Sequence, residues 1–261
     1  MVREGLTEAE QRRITVLCVR TAILLMQYSA ESVLVESVSR RMGLALGVDQ
    51  VEVALTANGI TITTLSAGHS ETTVRRNVDR GINMRTVTEV QRIMLQAEEA
   101  ALDIDGVEHA LDNLSQERYN RWVVAVMIGL SCACFARLAK ADLASCGLTF
   151  LASFAAMTTR HQLAHLHFNP LVNFAIAAFV ATSIAAQGLI HGFVGNPKVA
   201  MAASVLLLVP GFPFINAVSD MVKGYMNTGV ARAVMAGLLC AASCAGILLA
   251  MTIWNAWAWI K

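Results

Sequence analysis

From Trp122 onward, apolar residues run in long stretches, each near the roughly 20 residues a helix needs to cross a bilayer. They predict spans at 122–139, 143–159, 171–191, 199–219 and 230–253. Five crossings is the simplest count, and the shortness of the second span leaves four or six open. Barrel strands would alternate residue by residue, so these continuous runs predict helices.

Before Trp122 the periods are shorter and mixed. "TEAEQRRITVLCVRTAILLMQY" opens with Thr7 three residues before Glu10, a capping box, and its apolar residues then recur at helical spacing. A second helix, "SAESVLVESVSRRMGLALG", closes at Gly47 as a carboxy-terminal cap. Short runs of Val, Thr and Ile follow, broken at Asn58-Gly59 and Gly68-His69, and predict a three-stranded antiparallel meander. "INMRTVTEVQRIMLQAEEAAL" returns to helical period. The expectation is an α+β cytoplasmic domain over 1–121, followed by an all-α polytopic membrane domain over 122–261.

Charge sharpens this division. Of the 39 charged side chains, 30 lie at or before Arg121, in a chain that is 56% hydrophobic and 15% charged. A net charge of +1 offers no basic stripe for nucleic acid. The amino terminus lacks the shape of a secretory signal, because its apolar part carries Arg20 and no small-x-small site follows, so the polar body is expected to stay in the cytoplasm. Loop charges add little: Arg118, Arg121, Arg160, Lys223 and Arg232 would lie inside, against Arg137, Lys140, Lys198 and Lys261 outside. Five of the six cysteines fall in predicted spans and Cys18 in a helix, where each acts as a small apolar residue; neither a disulfide framework nor a zinc site is expected.

The fourth predicted span contains a contradiction. Pro210 and Gly211 fall near its middle and Pro213 follows, so a continuous helix is not expected there. A break at membrane depth is tolerable only where protein or a wet cavity satisfies the freed backbone groups. Its second half-helix, starting near Phe212, would present a positive amino end of the kind that holds anionic groups in transporters. Asn216, Asp220, Lys223 and Asn227 then follow at steps of four, three and four, which on one helix places them within about 60° of each other, with Arg232 just beyond. The plainer reading is a structural kink, with Asp220 and Lys223 a solvated i,i+3 pair contributing about 0.2–0.5 kcal/mol.

"DRGINMRTVTEV" from Asp79, "GLSCACF" from Gly129 and above all "VPGFPFINAVSDMVKG" from Val209 resemble the threonine/serine exporter (ThrE) family. Nearly the whole chain is similar to one subunit of the two-component bacterial exporter associated with succinate. In fused members a cytoplasmic region and one set of spans precede a second set; this chain stops after the first, which implies a separate membrane partner, the YjjB-type subunit. The family's Gly-Ala-Glu after the first helix stands here as Ser29-Ala30-Glu31.

On that resemblance the polar stripe is expected to line the cytoplasmic approach to a carboxylate site at the break. Lys223 and Arg232 would attract the anion, the half-helix end and Asn216 would bind it, and Asp220 would orient Lys223 or carry a proton. Other constellations are read more plainly. His161, His165 and His167 suit a basic interfacial or docking loop better than a metal site; Ala233, Gly237, Ala241 and Ala245 form a small-residue packing face; Asp79-Arg80-Gly81 is a tight turn before the next helix. No catalytic triad, Walker loop or dinucleotide fingerprint is present, so no enzyme activity and no cofactor are expected. The expectation is an inner-membrane exporter subunit for succinate or related dicarboxylates, in an assembly of unlike subunits. The alternatives are a threonine/serine exporter subunit, a membrane-anchored sensor or scaffold, and a channel-like conduit.

Overall fold

A computed structural model describes residues 6–115 and 119–257; Arg118 and Lys261, two of the loop charges weighed above, lie outside the described residues. The chain divides into two compact units, Met1–Arg118 with Phe212–Ala233, and Tyr119–Gly211 with Val234–Lys261. Sequence pattern places one division near residue 121, but Phe212–Ala233, from the later apolar region, groups with the first unit because its polar side chains bond there.

In the first unit, helix α1 (Glu8–Gln27) begins on the reciprocal cap between Thr7 and Glu10, and α2 (Ser32–Leu46) ends at Gly47 with φ 108°. Strands β1 (Gln50–Leu55), β2 (Gly59–Ser66) and β3 (His69–Arg76) form the antiparallel meander in chain order, with Val53 opposite Ile62 and Thr63 opposite Thr72. Alternation along β2 turns Ile60, Ile62 and Thr64 inward. There the two isoleucines join Ile14, Leu17 and Leu25 of α1, Val35 and Met42 of α2, and Val90 and Met94 of α3 (Met84–Glu98) in one core. Polar pins fix α1 to the sheet: Gln11 Nε2 donates to the Thr64 and His69 carbonyls at 3.1 Å each, and the Thr15 and Thr64 hydroxyls lie 2.6 Å apart. Arg20 pairs with Asp112 of α4 (Ile104–Asp112) at 2.5 Å. In the Asp79-Arg80-Gly81 turn, the Gly81 N–H donates to the Asp79 carboxylate and the Arg80 N–H to the Gln27 carbonyl.

The second unit holds α5 (Arg121–Leu138), α6 (Leu143–His165), α7 (Pro170–His191), α8 (Pro197–Ser204), a 3-10 turn (Leu206–Leu208) and the later part of α10 (Met226–Ile253). Among the described residues, three helices are long and apolar enough to cross a membrane: α5, α7 and α10. A fourth is added if the bent pair formed by Pro197–Leu208 and α9 (Gly211–Val222) counts as one span. The second predicted span is the helix α6, but α6 is not in that set.

Only 17 residues of α6 precede Arg160, and along one face they carry a ladder of hydroxyls. Ser145 Oγ accepts from the Asn196 N–H at 3.1 Å, Thr149 Oγ1 donates to the Ser145 carbonyl at 2.8 Å while lying 3.5 Å from the Ala200 carbonyl, and Ser153 Oγ donates to the Ser204 carbonyl at 3.1 Å. All three hydroxyl residues are buried. The last carbonyls of α8 have no acceptor role within their own helix, and Ser153 reaches the final one. Residues that lower the hydropathy of α6 therefore satisfy the helix beside it.

Elsewhere in this unit small residues set the packing. Ala177, Ala178, Ala181 and Ala185 of α7 are fully buried. A Cβ at Gly246 of α10 would lie 2.0 Å from the Ala175 carbonyl oxygen, so these two helices touch backbone to backbone. In the small-residue row, Ala241 and Ala245 are exposed, and it is Gly246 beside them that meets α7. Met127, Leu130, Leu138, Leu151, Leu248 and Leu249 face outward, the arrangement of a surface that lipid or another membrane chain covers. The six cysteines are free.

Candidate functional site

After the 3-10 turn, Val209 is extended at ψ 123°, as the residue before a proline must be, and α9 begins at Gly211. Pro213 sits in the first turn of α9, where its missing N–H would have had no helical partner. At the other end, the Tyr225 N–H bonds to the Asp220 carbonyl at 2.8 Å and the Gly224 N–H to Met221 at 3.2 Å, with Gly224 at φ 93°. This is a Schellman stop.

The stop corrects the single stripe expected from spacing. Asn216 and Asp220 lie on α9, Lys223 lies just past its end, and Asn227 and Arg232 lie on α10. Gly229 then allows α10 to lie close against α9, since a Cβ there would meet the Ala217 carbonyl at 2.9 Å and Met221 Cγ at 2.6 Å. The result is a helical hairpin inside the first unit.

The polar side chains of this hairpin converge on the turn between α1 and α2. That turn is itself a Schellman motif: the Ala30 N–H bonds to Leu25 at 3.0 Å and the Ser29 N–H to Met26 at 3.2 Å, and Ser29 takes the left-handed position at φ 66°. Asn216 Nδ2 donates to the Ser29 carbonyl at 2.8 Å, and Arg232 Nη2 to the Ala30 carbonyl at 2.9 Å. The Asp220 carboxylate accepts from the Ser32 N–H and Ser32 Oγ, both at 2.9 Å, and pairs with Arg232 Nη1 at 2.7 Å. Lys223 Nζ meets Glu31 at 2.5 Å, and the Tyr225 hydroxyl donates to Glu36.

Asp220 therefore caps the amino end of α2 from a distance of 188 residues along the chain. Its side chain is 0% exposed and that of Arg232 18%, whereas Lys223 and Glu31 are 42% and 37% exposed. Breaking a buried pair by deleting one partner costs about 3–5 kcal/mol, while an exposed pair contributes about 0–1 kcal/mol. The Lys223 hydrogen bond, helped by Ser219 and by the Arg232 charge, holds the Glu31 carboxyl below the usual range against the opposing effect of burial. Asp220 and Lys223 do not form the solvated pair of the plainer reading; each takes another partner.

Of the residues singled out by sequence, Asn216, Asp220, Lys223 and Arg232 come together at the turn. Pro210, Gly211 and Pro213 shape the start of α9, and Asn227 is exposed on α10. Glu31, Ser32, Glu36 and Tyr225 enter the cluster without having been foreseen; the Ser29-Ala30-Glu31 motif was the available signal. Ser29 preserves the turn that glycine makes with least strain, so Ser29→Gly is expected to stabilise the chain by up to about 1 kcal/mol, read as a raised midpoint of thermal unfolding. Among the described residues, no group of three or more His, Cys, Asp or Glu is placed to hold a metal ion. Arg160, beside His161, stacks over the Phe174 ring at 4.3 Å.

The family profile described as "Putative threonine/serine exporter" matches residues 16–254. A protein of Klebsiella aerogenes named "Probable succinate transporter subunit YjjP" is 49% identical over 253 residues, covering 97% of this chain and 98% of the relative. Its namesake in Escherichia coli K12 is 48% identical, covering 96% and 98%. An uncharacterized protein of Haemophilus influenzae is 37% identical over 82% of this chain and 83% of its own length. No solved structure matches. Apolar helices long enough to cross a bilayer and an exporter profile that takes in both units make this a membrane protein, and the chain belongs to the threonine/serine exporter family.

Proposed function

We propose that the chain is the subunit of an inner-membrane exporter that moves small dicarboxylates, succinate first among them, together with a second membrane subunit of the YjjB type. The amino-terminal α+β domain faces the cytoplasm in this reading, and the hairpin of α9 and α10 handles the substrate carboxylates. The observation that carries it is the cluster at the α1–α2 turn, where Lys223 and Arg232 are arranged against carboxylates, in a chain 49% identical to a relative named for succinate transport. Cations on a helix pair suit carboxylate recognition because both the charge and the N–H donors match the ligand. The family's own description favours threonine and serine as the second reading.

Efflux of labelled succinate, threonine and serine from preloaded cells making this chain, the YjjB-type chain, or both tests the reading. Succinate is expected to leave rapidly only when both chains are present. Efflux of the amino acids without succinate would install the second reading. Failure of all three solutes would leave a sensor or scaffold role for the cytoplasmic domain.

A further inference from the structure

The two ion pairs at the α1–α2 turn differ in how readily they change partners. Asp220 is fully buried and held by Ser32 as well as Arg232, so removing Arg232 from it would strand a charge in the interior. Lys223 and Glu31 are both more than a third exposed, and water already competes for their contact. Glu31 also stands at the N-cap of α2, where a side-chain oxygen ordinarily accepts from the helix's first N–H groups. It makes no such bond, because Asp220 takes the Ser32 N–H instead. The Glu31 carboxylate is thereby left to Lys223, with Ser219 beside it.

Resting on the exporter reading above, we propose that Glu31 is the chain's own occupant of a substrate-carboxylate position on Lys223, displaced when a dicarboxylate arrives. An ammonium group with three donors binds the glutamate side chain and a substrate carboxylate by the same chemistry. Arg232 also acts on the Glu31 carboxylate, although its own guanidinium is paired with Asp220, so Lys223 is the group whose contact can be exchanged. During exchange the Asp220, Ser32 and Arg232 contacts keep the hairpin seated on the turn. Glu31 neutralises the position when it is empty and competes with every anion that enters.

The test is uptake of labelled succinate into inverted membrane vesicles, which present the cytoplasmic face, containing the full chain and its YjjB-type partner. Glu31→Gln removes the competitor and is expected to lower half-saturating succinate by about 2- to 5-fold, the factor carried by an exposed ion pair. Lys223→Gln removes the binding group and raises it by a similar factor, and Glu31→Asp returns it toward wild type. A merely structural pair predicts that Glu31→Gln and Lys223→Gln shift the constant in the same direction, because each deletes the same contact. That result, or no shift with Glu31→Gln, overturns the proposal while leaving the exporter reading intact. If no version, wild type included, takes up succinate saturably, the exporter reading fails and the proposal falls with it.

Discussion

Asp220→Ala is expected to destabilise the first unit by about 3–5 kcal/mol, the largest effect of any single substitution at the turn. Three donors lose their acceptor at once: the Ser32 N–H, the Ser32 hydroxyl and Arg232, whose side chain is itself mostly buried. One of those donors is the amino end of α2, so the helix loses its cap as well, for which the usual cost is about 1 kcal/mol. Asp220→Asn retains the volume and one acceptor oxygen but leaves Arg232 without a counter-charge, and should fall between wild type and Asp220→Ala. The measurement is thermal unfolding of the full chain in detergent, with hydrogen exchange at the Ser32 amide. Wild-type protection of that amide in Asp220→Ala, or stability within about 1 kcal/mol of wild type, would show that the cluster is not holding the turn.

Gly246→Val is the second. The Cβ that any larger residue brings would sit 2.0 Å from a backbone carbonyl oxygen of α7, and backbone cannot rotate away as a flexible side chain can. Helices α7 and α10 must separate, giving up the contacts that small residues allow, and overpacking on this scale costs about 3 kcal/mol or more. Gly237→Ala on the same helix is the control, since its Cβ would meet nothing within 4 Å. The yield of monodisperse detergent-solubilised protein should collapse for the first and hold for the second. Equal yields would contradict the close approach.

Much of the first unit was legible because its signals are local. Thr7 with Glu10, Gly47, the Asn58-Gly59 and Gly68-His69 turns and the alternation of β2 each act within a few residues, and each predicted element is present. The break at Pro210 was legible for the same reason. One error came from treating a pattern as uninterrupted. Lys223-Gly224 carries a helix stop that spacing arithmetic ignores, and so one stripe becomes two helices with a turn between them. The hydroxyls of α6 lower its hydropathy, yet Ser153 serves the carbonyl at the end of α8, 51 residues away.

The candidate site was half legible. Asn216, Asp220, Lys223 and Arg232 stood out as polar residues in an apolar region, but a sequence shows neither what they meet nor from how far. Their partners lie in Ser29 to Ser32, 187 to 202 residues earlier, and only the tertiary fold joins the two segments. Burial then separated roles that charge alone could not. Asp220 and Glu31 are both carboxylates paired with cations, yet one is a fixed cap in the interior and the other an exposed contact that water can loosen.

The most direct measurement of the central claim is efflux of labelled succinate from preloaded cells containing both subunits, comparing wild type with Asn216→Ala, Lys223→Ala at equal membrane abundance. These substitutions remove two hairpin contacts to the turn while sparing the buried Asp220 and Arg232 pair. A fall in efflux of about 2- to 5-fold or more in the variant, with the protein still folded, is the predicted result. Undiminished succinate efflux from the variant would contradict the account and move the substrate path away from the α9–α10 hairpin.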